Sequence, residues 1–241
     1  VLKLDMAAGG SLVLGCMSRD TNAAASAPVP FRPNAWIRIN TDGSIIIALA
    51  ESEMGQGVLT AMSMLVAEEL EADWTRVRVE RALLDPVYGW QSTGGSRSVR
   101  DGWRPLRKAG AAAREMLIAA AARTWKVSPG QCRARDSMVL HAASGRRASY
   151  GELAATAVHI PVPNTVRLKD TSDFRIIGKS IPRLDTPAKV NGSAVFGMDV
   201  RIPNQLTATV THCPVFGGKP GTIQSEQALR VKGVRRVVPL D

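Results

Sequence analysis

Residues 35–39 (Ala-Trp-Ile-Arg-Ile) alternate in the manner of a half-buried strand, and residues 44–50 form an apolar run with strand character. Asp42-Gly43 between them supplies a turn signal. The period then changes. Leu59, Met62, Leu65, Val66 and Leu70 recur at helical spacing, which predicts an amphipathic helix over residues 58–73. Residues 75–82 set Arg76 and Arg78 against Val77 and Val79 and read as a third strand.

A loop over 84–99 leads into a long helix over 101–125. Its middle, residues 109–122, is dense in alanine and lets neighbouring elements come close. Residues 131–150 read as a hairpin around Ser144-Gly145, and 151–159 as a short helix. Pro161, Pro163 and Asn164 open a stretch, 161–188, that reads as a linker. A second unit then begins near Lys189, with strands over 194–200, 206–213 and 234–239 and a short helix over 224–230. The fold class expected is α+β: a lead-in over 1–30, a first domain over 31–160, the linker, and a second domain over 189–241 whose pattern stops part-way.

At 241 residues the chain holds one large or two ordinary domains. Aromatic residues make up 5%, which argues against the stacking surfaces that single-stranded nucleic acid prefers. The net charge of +10 is placed unevenly. Residues 1–96 carry 7 basic and 11 acidic side chains, whereas residues 97–147 carry 12 basic and 3 acidic ones. That middle segment fits a solvated face, a phosphate-bearing cofactor, an acidic partner or nucleic acid. Cys16, Cys132 and Cys213 are far apart, as are His141, His159 and His212, so no spacing points to a metal centre or a disulfide framework.

The amino end carries Val1-Leu2-Lys3-Leu4 and then a short apolar run ending Val13-Leu14-Gly15-Cys16. The run is far shorter than the ~20 residues that span a bilayer, and it fits the core of an export signal. It resembles the tail of a twin-arginine signal, and Cys16 resembles the acylated residue of a lipoprotein site. A buried amino-terminal helix is the competing reading.

Two loops carry candidate chemistry. The first, Glu51-Ser52-Glu53-Met54-Gly55-Gln56-Gly57, joins a strand to a helix. Its glycines let backbone approach a ligand, and the Gln56 amide donates and accepts at once. The helix end behind it has unpaired N–H groups and a dipole that favours an anion. Glu51 and Glu53 read as solvated strand-end carboxylates. The second loop, Gln91-Ser92-Thr93-Gly94-Gly95-Ser96-Arg97-Ser98-Val99-Arg100, brings hydroxyls, glycines and arginines to another helix start, parts that suit a phosphate or pyrophosphate. Neither loop is a Walker loop or a dinucleotide fingerprint.

Met54-Gly55-Gln56-Gly57, the following Glu68-Glu69-Leu70, and Thr93-Gly94-Gly95-Ser96-Arg97-Ser98 together resemble the molybdenum-binding subunit of the xanthine dehydrogenase/aldehyde oxidase family. The nearest branch is that of the isoquinoline 1-oxidoreductase beta subunit and the periplasmic aldehyde dehydrogenases. Gly178 to Asp185, Lys189 to Gly192 and Cys213 to Lys219 resemble the entry to that family's α/β hammerhead domain, with Phe216-Gly217-Gly218 making a turn and standing outside the site.

The resemblance implies a molybdopterin cofactor, in its cytosine dinucleotide form, whose dithiolene holds molybdenum. Gly55, Gln56 and Gly57 would contact the pterin and the metal's ligands. Thr93, Gly94, Gly95, Ser96, Arg97 and Ser98 would approach the metal and the cofactor's phosphates. The family's general base is a glutamate in a Gly-Glu motif near the end of a longer subunit, outside the part that this chain resembles. The resemblance therefore implies the amino-terminal part of a catalytic subunit that oxidises aldehydes or N-heteroaromatics. It implies as partners the rest of that subunit, a small 2Fe-2S subunit and a c-type cytochrome, with a periplasmic or membrane-associated location. A non-catalytic cofactor-binding subunit and a basic nucleic-acid module are the rival readings.

Overall fold

In the computed structural model, which describes residues 30–240, the first strands fold as a meander that continues into a parallel crossover. Strands β1 (Phe31–Asn34), β2 (Ile37–Ile39), β3 (Ile45–Leu49) and β4 (Val77–Arg81) lie side by side in that order. The first two pairings are antiparallel and β3–β4 is parallel. The strand expected over 35–39 is thus confined to 37–39, and residues 31–34 form a further strand that the sequence did not mark. Asn34 Oδ1 accepts from Trp36 N at 3.1 Å, a side-chain turn that folds the chain back at Ala35-Trp36. The expected export segment and Cys16 lie outside the described residues.

Between β3 and β4 runs α1 (Val58–Leu70), which buries Met62, Leu65, Val66 and Leu70 as its spacing predicts and ends at Glu71 in the left-handed region. Across it lies α2 (Ser98–Trp125), one turn longer at its start than its sequence suggests. The alanine-rich stretch does what small residues permit. A Cβ on Gly110 would meet the Val66 carbonyl oxygen at 2.5 Å, so the two helices meet there backbone to backbone.

Strands β5 (Cys132–Arg135), β6 (Met138–His141) and β7 (Arg146–Ser149) make a second, antiparallel sheet. The single hairpin expected here is a three-stranded meander. Its extra turn sits at Asp136-Ser137, with φ of 51° and 61°, the left-handed pair that a tight two-residue connection needs. Helix α3 (Tyr150–Ala157) follows at once, started by a reciprocal Ser149/Glu152 cap, and its buried Tyr150 donates to the Leu70 carbonyl at 2.6 Å.

Residues 161–188 are a packed strap and not a free linker. Glu69, fully buried, accepts from the backbone N–H of Lys169 and pairs with Arg107 and Arg114. Its neighbour Glu68 pairs with the Lys169 ammonium and accepts from the N–H groups of Arg175, Ile176 and Ile177. Phe174 meets Trp103 edge to face, with the Arg107 guanidinium over both rings. The reason is in the helix: two buried carboxylates must be satisfied, and backbone N–H groups of the strap are what reach them. A short helix, α4 (Thr186–Val190), ends the strap.

Among the described residues the chain divides into two compact units, with the division between Ser193 and Ala194. The second unit has, among its described residues, a single 3-10 turn at Gly197–Asp199, one short α-helix, α5 (Glu226–Leu229), and no strand. The strands expected over 194–200, 206–213 and 234–239 are absent. Within 194–200 the Asp199 carboxylate accepts from Phe196 N and bends the chain, and apolar residues such as Phe196, Met198 and Val210 are exposed. An alternating sequence becomes a strand only beside a partner ladder, and none is present among these residues. Phe216-Gly217-Gly218 does form a turn, with Gly217 at φ 74° and Gly218 N donating to Val215 O.

Candidate functional site

The strand β3 ends at Leu49 and delivers the first candidate loop to the amino end of α1. That helix end does not await an external anion, as its sequence suggests. Glu53 fills it: its carboxylate accepts from the N–H groups of Gly55 at 2.8 Å, Gly57 at 2.9 Å and Leu59 at 3.2 Å. The Glu53 side chain is only 3% exposed, which corrects its reading as a solvated carboxylate. Burial alone would push this carboxyl up. The three N–H groups and the Arg183 guanidinium outweigh that and hold it below the usual range. Glu51 is also not freely solvated: it is half-buried, and burial pushes its carboxyl up.

The loop can wrap a carboxylate because Gly55 and Gly57 take φ of 102° and 84°, where other residues are strained. The Gln56 side chain closes the turn: its oxygen accepts from Met54 N at 2.6 Å and its nitrogen donates to Ser52 O at 2.9 Å. An amide has two acceptor lone pairs and two N–H donors, so Gln56, which is exposed, keeps one of each to offer outward. A Cβ built on Gly55 or Gly94 would meet nothing within 4 Å, so both backbones face open space.

The second loop lies beside the first. Ser52 N donates to the Thr93 hydroxyl at 2.8 Å, a tie across 41 residues of sequence. Upstream, the Gln91 amide bonds Asp85 N and Leu83 O and so shapes the loop rather than facing a ligand. Gly95 and Ser96 take φ of 61° and 53° before α2 begins. That helix start has no side-chain cap, and around it Arg97 and Arg100 are exposed, each weakly paired with Asp101. The nine candidate residues thus lie in two adjoining places: Gly55, Gln56 and Gly57 in one loop, and Thr93, Gly94, Gly95, Ser96 and Arg97 in the other, with Ser98 the first residue of α2.

Part of the basic middle segment is structural. Arg107 and Arg114 are spent on Glu69, which leaves Arg97 and Arg100 beside the loops. Two shallow clefts of about 410 and 320 Å³ are lined by Glu71 with Arg175 and by Arg133 with Arg167, all at the carboxyl end of α1. Neither includes a candidate loop residue. An exposed loop pair of open glycines, spare amide valences and exposed arginines suits a large polar ligand that lies across it, more than one enclosed in a pocket.

Sequence reasoning missed Arg183 and Asp185 as parts of this region. Gly178 to Asp185 resembled the entry to the second domain, yet Arg183 donates to the Gly55 carbonyl at 2.9 Å and to Glu53 at 3.2 Å. Asp185 grips the same guanidinium at 3.0 and 2.8 Å, and that bond holds its carboxyl well below the usual range. A signal was present: a glutamate two and four residues before glycines is placed to take both of their N–H groups.

The sequence has known relatives. The chain is 37% identical over 261 aligned positions to the isoquinoline 1-oxidoreductase subunit beta of Brevundimonas diminuta, covering 92% of this chain and 33% of that one. It is 34% identical to the membrane-bound aldehyde dehydrogenase [pyrroloquinoline-quinone] of Gluconacetobacter polyoxogenes, covering 88% of this chain and 28% of that one. It thus spans about a third or less of the length of these relatives. A solved structure, quinoline 2-oxidoreductase from Pseudomonas putida 86, aligns at a TM-score of 0.42 and 19% identity, over 54% of this chain and 17% of that one. Residues 11–209 match the family described as molybdopterin cofactor-binding domain, which is most of the chain, and the protein belongs to that family.

Proposed function

We propose that the two adjoining loops hold a molybdopterin, in its cytosine dinucleotide form, as part of the catalytic subunit of a molybdenum hydroxylase. The observation that carries this is the Ser52–Thr93 tie, which makes one platform of the Gly55-Gln56-Gly57 and Thr93–Ser98 loops. In this reading the spare valences of Gln56 face the cofactor's polar edge. The open backbone at Gly55 and Gly94 lets it approach closely, and Arg97 and Arg100 neutralise phosphate charge. Glu53 is already engaged with three N–H groups, so it shapes the platform and takes no proton from substrate.

Bound molybdenum supplies the two-electron chemistry that places a water-derived oxygen on carbon. The substrate class is an aldehyde or an N-heteroaromatic. The catalytic base belongs to the rest of the subunit, the electrons leave through a separate 2Fe-2S subunit, and a c-type cytochrome serves as a further partner. The export-like run ending at Cys16 supports a periplasmic location, membrane-associated where Cys16 is acylated. Mass spectrometry of the native amino terminus checks this: cleavage near Gly15 or acylation of Cys16 is expected, and an intact terminus on a cytosolic protein refutes it.

The deciding experiment is metal and pterin analysis of the complete subunit, purified with its partners, as wild type and Gln56→Ala. Molybdenum bound at close to one per wild-type subunit is expected. Wild-type subunit free of molybdenum and pterin would overturn the reading.

A further inference from the structure

We propose that Arg183 is a positioning residue for Gln56, holding the first loop in its cofactor-ready shape from the outside. The inference rests on the reading of that loop as the cofactor site. The loop has an intrinsic weakness: Gly55 and Gly57 give it wide backbone freedom, and Gln56 between them is oriented only through Met54 N and Ser52 O. What fixes residues 52–57 is Glu53, and what fixes Glu53 beyond its own loop is Arg183.

The guanidinium stands where it can act on the whole turn. It donates to the Gly55 carbonyl and to the Glu53 carboxylate, and its carbon lies 3.9 Å from where a Gly57 Cβ would be. It does not reach Gln56 itself. Asp185 holds it by two hydrogen bonds, the planar fork geometry that arginine alone provides. Next along the chain, Leu184 N donates to the buried Thr60 hydroxyl at 3.0 Å, which pins the same strap to the first turn of α1. The other end of the strap is locked by Glu68 and Glu69. Arg183 is therefore a lever on an anchored arm, and the order of action is Asp185 to Arg183, Arg183 to Glu53 and Gly55, and these to Gln56.

The test uses the complete subunit in its native complex, with two readouts. Hydrogen exchange of the peptide covering residues 51–60 reports the loop, and the peptide covering 62–70 reports α1 as a control for folding. The rate of molybdenum loss reports the site. Arg183→Ala is expected to speed exchange in the loop and molybdenum loss at least tenfold each, with the α1 peptide unchanged. Asp185→Asn, which keeps Arg183 but loosens its grip, should move both in the same direction by less.

In the double variant Arg183→Ala/Gln56→Ala, molybdenum loss should be no faster than with Arg183→Ala alone, because Gln56 contributes only when it is held. A merely structural role predicts multiplied effects, and that result, or unchanged loop exchange with both single variants, overturns the proposal. A wild-type complex without molybdenum whose loop still loosens on Arg183→Ala would leave the lever standing and remove the hydroxylase reading instead.

Discussion

The two ends of α1 are held by the same strap in opposite ways. At the carboxyl end the helix itself supplies the carboxylates, Glu68 and Glu69, both buried and surrounded by Lys169, Arg107, Arg114 and four backbone N–H groups. At the amino end the carboxylate comes from the loop, and the strap reaches it through Arg183, whose side chain is 37% exposed. One end is a buried joint. The other is a half-exposed clasp beside two glycines. The carboxylates are buried at both ends and the difference lies in the cation: a buried cation left unpaired costs far more than an exposed one, so the first joint fixes the fold while the second holds the shape of a loop.

The sharpest way to break that contrast is Glu69→Ala. It would strand Arg107, which is 8% exposed, with the Lys169 carbonyl as its one remaining hydrogen-bond partner beside the Trp103 and Phe174 rings. A loss of about 3–5 kcal/mol is expected, the range for breaking a buried ion pair from one side. Thermal unfolding of the subunit, together with proteolysis inside residues 161–188, measures it. A change below 1 kcal/mol on this scale would mean the carboxyl end is no tighter than the amino end.

At the amino end the expected effect is on function. Gln56→Ala should lower the activity of the complete enzyme at least about tenfold, which corresponds to ~1.4 kcal/mol at the transition state. Stability should hardly change, because the residue is exposed. Steady-state kinetics and molybdenum content separate the two. Unchanged kinetics with full molybdenum would remove Gln56 from the site.

Acid sharpens the contrast. Burial opposes the ionisation of both Glu53 and Glu68, but hydrogen bonds prevail and both carboxyls sit below their ordinary range in the folded chain. For Glu68 the chief opposing partner is Lys169, followed by Ile176 and Ile177. A carboxyl depressed by folding adds stability that is present above its unfolded value, about 4.3, and is lost as pH falls through the lower folded value. The subunit should therefore weaken below about pH 4.3, and Glu68→Gln should flatten that slope. Denaturant unfolding across pH 2–6 checks the sign.

Much of the first unit was legible in sequence because its elements carry their own period. α1 buries Met62, Leu65, Val66 and Leu70 as their spacing marks, with Leu59 partly buried, the alanine-rich middle of α2 packs closely, and Asp42-Gly43 turns as its chemistry requires. What escaped were side-chain decisions made at a distance. Asn34 turns the chain at Ala35-Trp36 by accepting from Trp36 N, so the expected strand starts only at Ile37, and Glu53 occupies a helix end that looked open. The strap looked like a linker because its anchors, Glu68 and Glu69, lie some 100 residues earlier. The strands expected beyond residue 193 failed for the opposite reason: alternation was present and partner ladders were not. For the site, two loops could be named from composition, but their adjacency rests on one hydroxyl.

That hydroxyl gives the smallest prediction. Thr93 accepts from Ser52 N at 2.8 Å and is the tie between the two candidate loops. Thr93→Val keeps the shape and removes the acceptor. The Ser52 N–H lies in an exposed stretch, so water can replace the lost partner, and the cost in stability should be about 0.5–1 kcal/mol. The loops themselves should report the change more clearly than the melting temperature does. Exchange of the peptide covering 51–60 should rise a few-fold, less than with Arg183→Ala, since Glu53 and Arg183 still hold the turn from the other side. Thr93→Ser keeps the acceptor and should behave as wild type. If Thr93→Val instead matched Arg183→Ala, the amino end of α1 would be governed by the second loop rather than by the strap, and the contrast between the two ends of the helix would have to be redrawn.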